Sequence, residues 1–451
     1  MAPISRFDWR FITIRNPAHC DSSPYLYNLP MRILFLNLYF PPDTSATAKS
    51  AQSMVHALAK THEVTVLCGR PSYDPTERRL WKLWQTERIS STTPQSTGEG
   101  AAQITADSNA FTVIRVGSTD YPRIRMNRRV LNYLTYVKIA FWHAFFIPCD
   151  VIFAMTDPPF NGIVGALLSV LKRKPLVYDI QDMYPDMAVA GSIMKPGLLT
   201  RLWERLHRWA LRRATRIIVL GDDMRARIIA KEIDAAKVFI VRSGVDTPAP
   251  QSLAPPINPE VTRAIRGNFR FVLLHAGNLG FYGAWDTIIA AARKLENQNI
   301  GFVFVGDGAE RSRVENLAAG STNIRFLPFF PNSDIPSVLA APDAHIVTIK
   351  RGLEGVVVPS KMFGIIAAGK PIVAVAAPES DVAALGLQHG FAISGDPSSP
   401  DELATSIRRI AVDPAALAAM SRSAREAAAK YSQANELRTL TTIVEGLEPG
   451  P

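Results

Sequence analysis

From Met31 onward, short apolar runs alternate with turn-forming loops and with segments of helical period. The first run, Ile33-Leu34-Phe35-Leu36 after Arg32, has strand length and no polar alternation, as expected of a strand buried on both faces. Pro41, Pro42, Asp43 and Ser45 then supply turn and cap chemistry, Ser50 to Lys60 has helical spacing, and Glu63 to Leu67 predicts a second strand. Parallel strands need such a crossover helix between them. The same pattern predicts strands at Thr112–Val116, Val151–Ala154, Leu176–Ile180 and Arg216–Leu220, whereas Ser90–Asn109, rich in Ser, Thr and Gly, predicts a surface loop or insertion.

The pattern breaks near Arg242 and restarts after Pro248, Pro250, Pro255, Pro256 and Pro259. Phe271–Ala276 predicts a strand, Gly277–Gly280 a tight loop and Trp285–Leu295 a helix; further strands follow at Gly301–Val305, Ile324–Phe326, His345–Ile349 and Pro371–Val375, and Pro414–Lys430 predicts closing helices. Two successive halves of this kind predict an α/β protein with two Rossmann-like, doubly wound domains facing across a cleft. The expected divisions are an N-terminal extension over 1–30, a first domain over 31–246, a linker over 247–265, a second domain over 266–428, and a closing helix and tail over 429–451. Ligands bind beyond the carboxyl ends of such strands, so Asn37–Thr47 and Gly277–Tyr282 should line the cleft.

Composition narrows the class. With 47% hydrophobic and 20% charged residues in 451, the chain is neither disordered throughout nor fibrous. Its formal charge of +10 suits an anionic partner: nucleotide phosphate, lipid pyrophosphate, an acidic membrane surface or nucleic acid. Nucleic acid fits least, because aromatic and cationic residues are not interleaved on any strand. Cys20, Cys68 and Cys149 stand far apart without a CxxC pair, which argues against a disulfide framework or zinc site and for a reducing compartment. The first thirty residues lack the apolar core of a secretory signal, and Val130–Ile147 is interrupted by Asn132, Thr135, Lys138 and His143, so no spanning helix is predicted.

Several loops carry chemistry. Gly277-Asn278-Leu279-Gly280 follows a strand and precedes a helix, where backbone N–H groups can approach a phosphate; a plain tight turn explains the two glycines about as well. Gly306-Asp307-Gly308 follows another strand on the same edge. The richest stretch runs from Lys350 through Arg351, Glu354 and Ser360 to Lys361. It offers three cations for a diphosphate and one carboxylate for sugar hydroxyls, against the plainer reading of a solvated basic loop with Ser360 capping a helix. In the first half, Asp179, Asp182 and Asp186 end one strand and Asp157 ends the preceding one; they suit sugar binding, a general base, or Asx-turn capping. No DxD pair or metal-ligand spacing is present, which disfavours a metal-dependent phosphate clamp, and no G-x-S-x-G elbow or P-loop lysine motif occurs. Arg123, Arg125, Arg128 and Arg129 lead into an aromatic-rich helix that suits either an anionic membrane surface or core packing, with Asn132, Thr135 and Lys138 as its polar stripe.

In order and spacing, Tyr39-Phe-Pro-Pro-Asp43, His62-Glu-Val-Thr-Val66, Asp179-Ile-Gln-Asp-Met-Tyr-Pro-Asp186, Ser243-Gly-Val-Asp246, Gly277–Gly280, Gly306-Asp-Gly308 and Gly355-Val-Val-Val-Pro-Ser-Lys361 form a pattern over about residues 31–440. This pattern resembles the retaining, nucleotide-sugar-dependent glycosyltransferases of family 4, which have the GT-B fold, and in particular the branch that builds colanic acid, O-antigen and related exopolysaccharides. The resemblance implies a UDP- or GDP-linked sugar donor held by the second domain and a saccharide acceptor, linked to polyprenyl diphosphate, held by the first. It implies hexosyl or N-acetylhexosaminyl transfer without a metal or other cofactor, at the cytoplasmic face of the inner membrane, with peripheral attachment and no nucleic-acid partner. On the donor side it places Gly277, Asn278, Gly280, Asp307, Ser360 and Lys361, with Arg351 as a further diphosphate contact, Glu354 facing the donor sugar or ribose, and Phe329 with the backbone near Leu327 seating the base. On the other side it places Ser45 and Ala46 near the donor phosphate, Asp182 near the reacting centre, and Asp157, Asp179 and Asp186 toward the acceptor. Lys361, Glu354 and Asp182 are then the expected catalytic residues. The chain departs from the family pattern at Gly364, where a second Glu would align, at Phe281, where a cation often stands, and at Gln181, where a histidine is common. Two alternatives stay open: a nucleotide-sugar 2-epimerase, an isomerase that shares this two-domain fold, and a non-catalytic nucleotide-sugar-binding subunit, suggested by Gly364 and Gln181.

Overall fold

A computed structural model describes residues 30–71, 86–90, 111–119, 121, 126–245 and 257–447. Residues 1–29 of the expected N-terminal extension, most of the Ser90–Asn109 insertion, Arg123 and Arg125, Asp246, and residues 247–256 of the expected linker lie outside the described residues.

Strands β1 (Arg32–Leu36), β2 (Glu63–Gly69), β3 (Thr86–Ser90), β4 (Thr112–Val116), β5 (Val151–Met155), β6 (Leu176–Ile180), β7 (Arg216–Val219) and β8 (Val238–Ile240) form one sheet in the order β3-β4-β2-β1-β5-β6-β7-β8. The pairings are parallel except β3 with β4 at the edge. The second sheet consists of β9 (Phe271–Ala276), β10 (Ile300–Val305), β11 (Ile324–Leu327), β12 (Ala344–Thr348), β13 (Ile372–Val375) and β14 (Ala392–Gly395) in the order β11-β10-β9-β12-β13-β14, parallel throughout. That is the order of a dinucleotide-type doubly wound sheet, whose direction of growth reverses between its first and fourth strands. In the first sheet the reversal lies between β1 and β5, where Leu36 stands beside both Leu67 and Ala154. In the second it lies between β9 and β12. The loops that leave these strands are therefore the ones that should hold ligand.

The central strands are apolar on both faces because helices cover both; every residue of β5, β6, β10 and β12 is buried. Helix α1 (Ala46–Leu58) starts where Ser45 Oγ accepts the Ala48 N–H at 3.1 Å. Helices α2 (Met126–Phe146), α3 (Asn161–Lys172), α4 (Asp186–Ala190), α5 (Leu198–Arg213) and α6 (Asp222–Ala230) complete the first domain. In the second, α7 (Pro259–Arg266), α8 (Trp285–Lys294), α9 (Arg311–Leu317), α10 (Ile335–Ala340), α11 (Lys361–Ala367), α12 (Asp381–His389), α13 (Pro400–Ala411) and α14 (Pro414–Lys430) flank the sheet. The last helix, α15 (Gln433–Glu445), returns to the first domain: Leu440, Ile443, Val444 and Leu447 are buried in one core with Ile33, Phe35, Val55 and Leu58.

Two junctions hold the domains in register. At the first, Val245 N–H donates to Tyr431 O at 2.7 Å and Gln433 N–H to Val245 O at 2.8 Å. Gly244 adopts φ +68° there, and a Cβ on it would come within 2.7 Å of Gln433 Cα, so both conformation and space demand glycine. At the second, the Asp381 carboxylate, 1% exposed, accepts Asp222 N–H at 3.0 Å and Arg242 Nη2 at 3.1 Å, while Asp381 N–H donates to Asp223 Oδ2 at 3.0 Å. Removing one member of a buried ion pair leaves the other unpaired and costs about 3 kcal/mol or more. Asp381→Ala is accordingly expected to lower the urea midpoint and to weaken the coupling between the two unfolding transitions, measured by calorimetry.

Helix α2 has two characters. Tyr136, Ala140 and Ala144 are buried in the core, but Leu131, Leu134, Trp142, Phe145 and Phe146 are exposed. Part of its expected polar stripe is not solvated: Thr135 Oγ1 accepts Thr119 N–H at 3.0 Å and Asn132 Oδ1 accepts Tyr121 N–H at 3.1 Å, which binds Thr119 and Tyr121 to the helix. Among the described residues no helix is long and apolar enough to cross a membrane.

Candidate active site

The carboxyl ends of β9, β10 and β12 bring three of the expected loops together. Gly277, at φ +127°, accepts no side chain without strain, and a Cβ there would lie 3.7 Å from Lys361 Nζ; the lysine is thus folded onto the Gly277 turn. Gly306, at φ +136°, approaches so closely that a Cβ would sit 2.1 Å from Gly277 O. The turns are stitched by Gly277 N–H to Val305 O at 2.8 Å and Leu279 N–H to Asp307 O at 2.8 Å. The Asp307 side chain accepts Gly308 N–H at 2.8 Å and is exposed at the rim. Asn278 is exposed too, and its carbonyl accepts the Tyr282 hydroxyl at 2.8 Å. Gly280 O accepts Trp285 Nε1 at 2.7 Å, anchoring the end of the loop in the core. Phe329, 61% exposed, flanks Gly306, while the Leu327 carbonyl is taken by Gly306 N–H at 3.1 Å and by Arg311.

Lys361 opens α11 at the floor of this crevice, partly accessible yet surrounded by protein, and no carboxylate among the described residues pairs with it. Its Nζ lies 3.4 Å from His275 Nε2. Burial lowers the lysine pKa to about 7. The same burial, with the lysine beside it, holds His275 well below its usual value and hence neutral. A cation held in a poorly solvated site without a counter-charge is ready to receive an anion.

Asp182 reaches this crevice from the first domain. It forms an antiparallel bridge with Val357, and Met183 N–H donates to Val356 O at 3.2 Å, so the 350–361 loop spans both domains. Burial, then the nearby Asp157, pushes the Asp182 pKa up to about 7, and its charge is felt by Tyr282 across the cleft. Asp157 is fixed through its backbone, whose carbonyl accepts Leu38 N–H at 2.8 Å. Asp179 is fully buried behind them: Oδ2 accepts Gln181 Nε2 at 2.6 Å, Oδ1 has no hydrogen-bond partner among the described residues, and burial raises its pKa to about 7.

Other expected site residues are engaged elsewhere. Arg351 points to solvent and pairs with Asp396 at 3.1 Å. Asp186 faces the interdomain groove on the other side of α4, bound to Lys231 at 2.9 Å and Arg227 at 3.4 Å. The Glu354 carboxylate turns back onto Gly352 N–H at 3.0 Å, and its carbonyl accepts Arg227 Nε at 2.9 Å. Ser45 is consumed as the α1 cap, leaving Ala46 exposed at the helix start. Ser360 is exposed and makes no capping bond to α11, so the capping role open to it in the sequence is not used. One participant escapes the motif reading, His275, while Tyr282 stands in the expected Gly277–Tyr282 cleft loop. A histidine in the next-to-last position of an otherwise apolar strand was the available signal for it.

Two family models cover most of this framework. One, described as a glycosyl transferase 4-like domain, matches residues 45–244; the other, glycosyl transferases group 1, matches residues 265–427. The chain belongs to the family 4 glycosyltransferases. Within that family it is 28% identical over 302 residues to WbjE of Pseudomonas aeruginosa, a probable glycosyltransferase, covering 64% of this chain and 74% of the relative. It is 26% identical over 396 residues to WcaI of Escherichia coli K12, whose name places it as a glycosyl transferase in colanic acid biosynthesis, covering 84% and 92% respectively. Among solved structures, Anabaena HepE in complex with UDP superposes with a TM-score of 0.64 at 18% identity, over 92% of this chain and all of HepE. WaaG, a glycosyltransferase of lipopolysaccharide biosynthesis, gives 0.57 at 16% identity, over 92% of this chain and all of WaaG. The architecture is thus GT-B, and the chain is a glycosyltransferase.

Proposed function

We propose that this glycosyltransferase binds a UDP- or GDP-linked hexose or N-acetylhexosamine in the second domain and passes the sugar, with retention, to a saccharide on polyprenyl diphosphate. The observation that carries the reading is Lys361, held against the Gly277 turn with no carboxylate partner among the described residues. The diphosphate would lie on Gly277–Gly280 and Lys361, with Phe329 beside the base. As the anomeric bond breaks, negative charge grows on the departing diphosphate and the lysine stabilises it; such preorganised electrostatics is commonly the largest catalytic contribution. The acceptor hydroxyl would enter on the same face and pass its proton to a donor phosphate oxygen, with Asp182 orienting it from the first domain. A protein cation at the diphosphate position performs the charge neutralisation that a divalent ion would otherwise supply, so activity should persist in EDTA. Names of relatives that point to colanic acid and lipopolysaccharide favour a lipid-linked acceptor at the cytoplasmic membrane face. Exposed Leu198, Leu199 and Leu202 beside Arg201, Arg205 and Arg208 on α5 suit peripheral attachment to an anionic bilayer.

A thermal-shift panel of nucleotide sugars tests the donor assignment: the cognate donor at 100 times its dissociation constant should stabilise the protein by about 2.7 kcal/mol. Absence of any shift with UDP- and GDP-sugars would refute it. Incubation with UDP-GlcNAc alone separates transfer from epimerisation, since only an epimerase forms product without acceptor.

A further inference from the structure

Between α2 and α5 lies a groove of about 600 Å³ whose walls include Leu134, Phe160, Ile163, Leu199, Leu202 and Leu206. Its floor is aromatic: Trp203 packs on Phe160 at 4.8 Å between ring centroids and stacks on Tyr184 at 5.8 Å. Arg129 is the one charged side chain among the lining residues described. Its Nε donates to the Tyr133 hydroxyl at 2.5 Å, its guanidinium lies 5.4 Å from the centre of that ring, and no carboxylate among the described residues pairs with it. The two ends of the groove differ. At the inner end stands Tyr184, close enough to Asp182 and Asp157 for their charges to add to the burial that pushes its hydroxyl pKa up. At the outer end Leu199 is 66% exposed, and Leu198 before it on α5 is exposed too. Beside it on α5 runs a stripe of arginines at 201, 205, 208 and 212.

We propose that this groove seats the phosphate-proximal carbons of the acceptor lipid, with Arg129 on its phosphate. The inference rests on the reading of a lipid-linked acceptor and deepens it by naming where the lipid lies. Three observations support this occupant over any other. An apolar trough with one cation lacking a carboxylate partner complements a chain that is apolar along its length and anionic at one end. The cation's end of the trough adjoins the carboxylates of the reacting centre, where the saccharide would have to be presented. The opposite end opens on an apolar, arginine-flanked surface from which a chain could enter directly out of a bilayer. Burial of each methylene contributes about 0.8 kcal/mol, so a few carbons seated in the trough suffice to dominate affinity.

The test measures binding to the full chain by tryptophan fluorescence and calorimetry, with farnesyl diphosphate below its micellar range, inorganic diphosphate and farnesol as separate probes. Farnesyl diphosphate is expected to bind at least about tenfold more tightly than either fragment. Leu202→Gln and Leu134→Gln, both at partly exposed positions, should each weaken it several-fold. Arg129→Gln should reduce it to the affinity of farnesol. Phe146→Ser, at an exposed position at the far end of α2 and outside the trough, should leave it unchanged, and circular dichroism checks that each variant is folded. Equal binding of inorganic and farnesyl diphosphate would overturn the proposal, as would indifference to both leucine substitutions or equal sensitivity to Phe146→Ser. Absence of lipid binding with dimerisation that Leu202→Gln abolishes, seen by sedimentation, would overturn it in favour of a second copy of the chain. No donor is present in these titrations, so failure here leaves the donor panel standing, and failure of the donor panel leaves this result interpretable.

Discussion

Replacing Lys361 by Ala is expected to lower kcat for glycosyl transfer by about 10²–10³, equivalent to about 2.7–4 kcal/mol of lost stabilisation on the departing diphosphate. Folding should survive, because the lysine makes no ion pair among the described residues that its removal would strand, and its loss relieves a poorly solvated charge. The informative companion is Lys361→Arg. In the free enzyme the lysine loses its proton near pH 7, so kcat/KM should fall as pH rises through about 7. An arginine remains charged and should flatten that alkaline limb even if its geometry lowers the rate. Donor binding stabilises the ammonium form and raises its pKa; near pH 8 the wild type should therefore take up a proton on binding UDP, detected as a buffer-dependent calorimetric enthalpy. Proton uptake unchanged in Lys361→Ala would assign the titration to another group.

Asp182→Asn should lower kcat by about 10²-fold with little change in donor affinity, as expected on losing the charged group that orients the acceptor hydroxyl. Burial and Asp157 put its pKa at about 7, so the ionised form accumulates as pH rises and activity should climb through that region. With Lys361 supplying the opposite limb, kcat/KM is expected to follow a narrow bell centred near neutrality, and the asparagine variant should lose only the acid side. Because Asp157 interacts with Asp182, the acid limb reports the pair rather than either residue alone. An acid limb retained in Asp182→Asn would move the role to Asp157 or Asp179.

How much of this was readable beforehand follows from which forces decide each feature. Strands with both faces covered carry an apolar run, and β1, β5, β9 and β10 stand, to within a residue, where that run predicts. The strands that went unpredicted lie at sheet edges. β3, Thr-Glu-Arg-Ile-Ser, is an antiparallel edge strand, β8 has three residues, and β14 contains Ser and Gly; edge positions neither need nor favour continuous apolar sequence. The return of α15 to the first domain was hidden for another reason: the stripe of Leu440, Ile443 and Val444 announces a buried face but not which of two cores receives it.

The site shows the same division. Glycines and Lys361 converge because topology places every βα loop at one edge, which is legible from order alone. Pairing is not. Arg351 and Lys361 are both cations of a single loop, but a tight turn at Gly352 sends the first to Asp396 and solvent while the helix start sends the second inward. Likewise Asp186 and Asp182 are four residues apart, and the short helix α4 turns one toward Lys231 while backbone pairing with Val357 holds the other in the crevice.

The chain crosses between domains at two points, near Val245 and again at Tyr431–Gln433, and these crossings are hydrogen-bonded side by side. Such a paired strip bends readily about its own width and resists twisting. Opening to admit a nucleotide sugar should then resemble a book turning on its spine, with Lys361 and Asp182 separating along one arc and meeting again at the same place on each turnover.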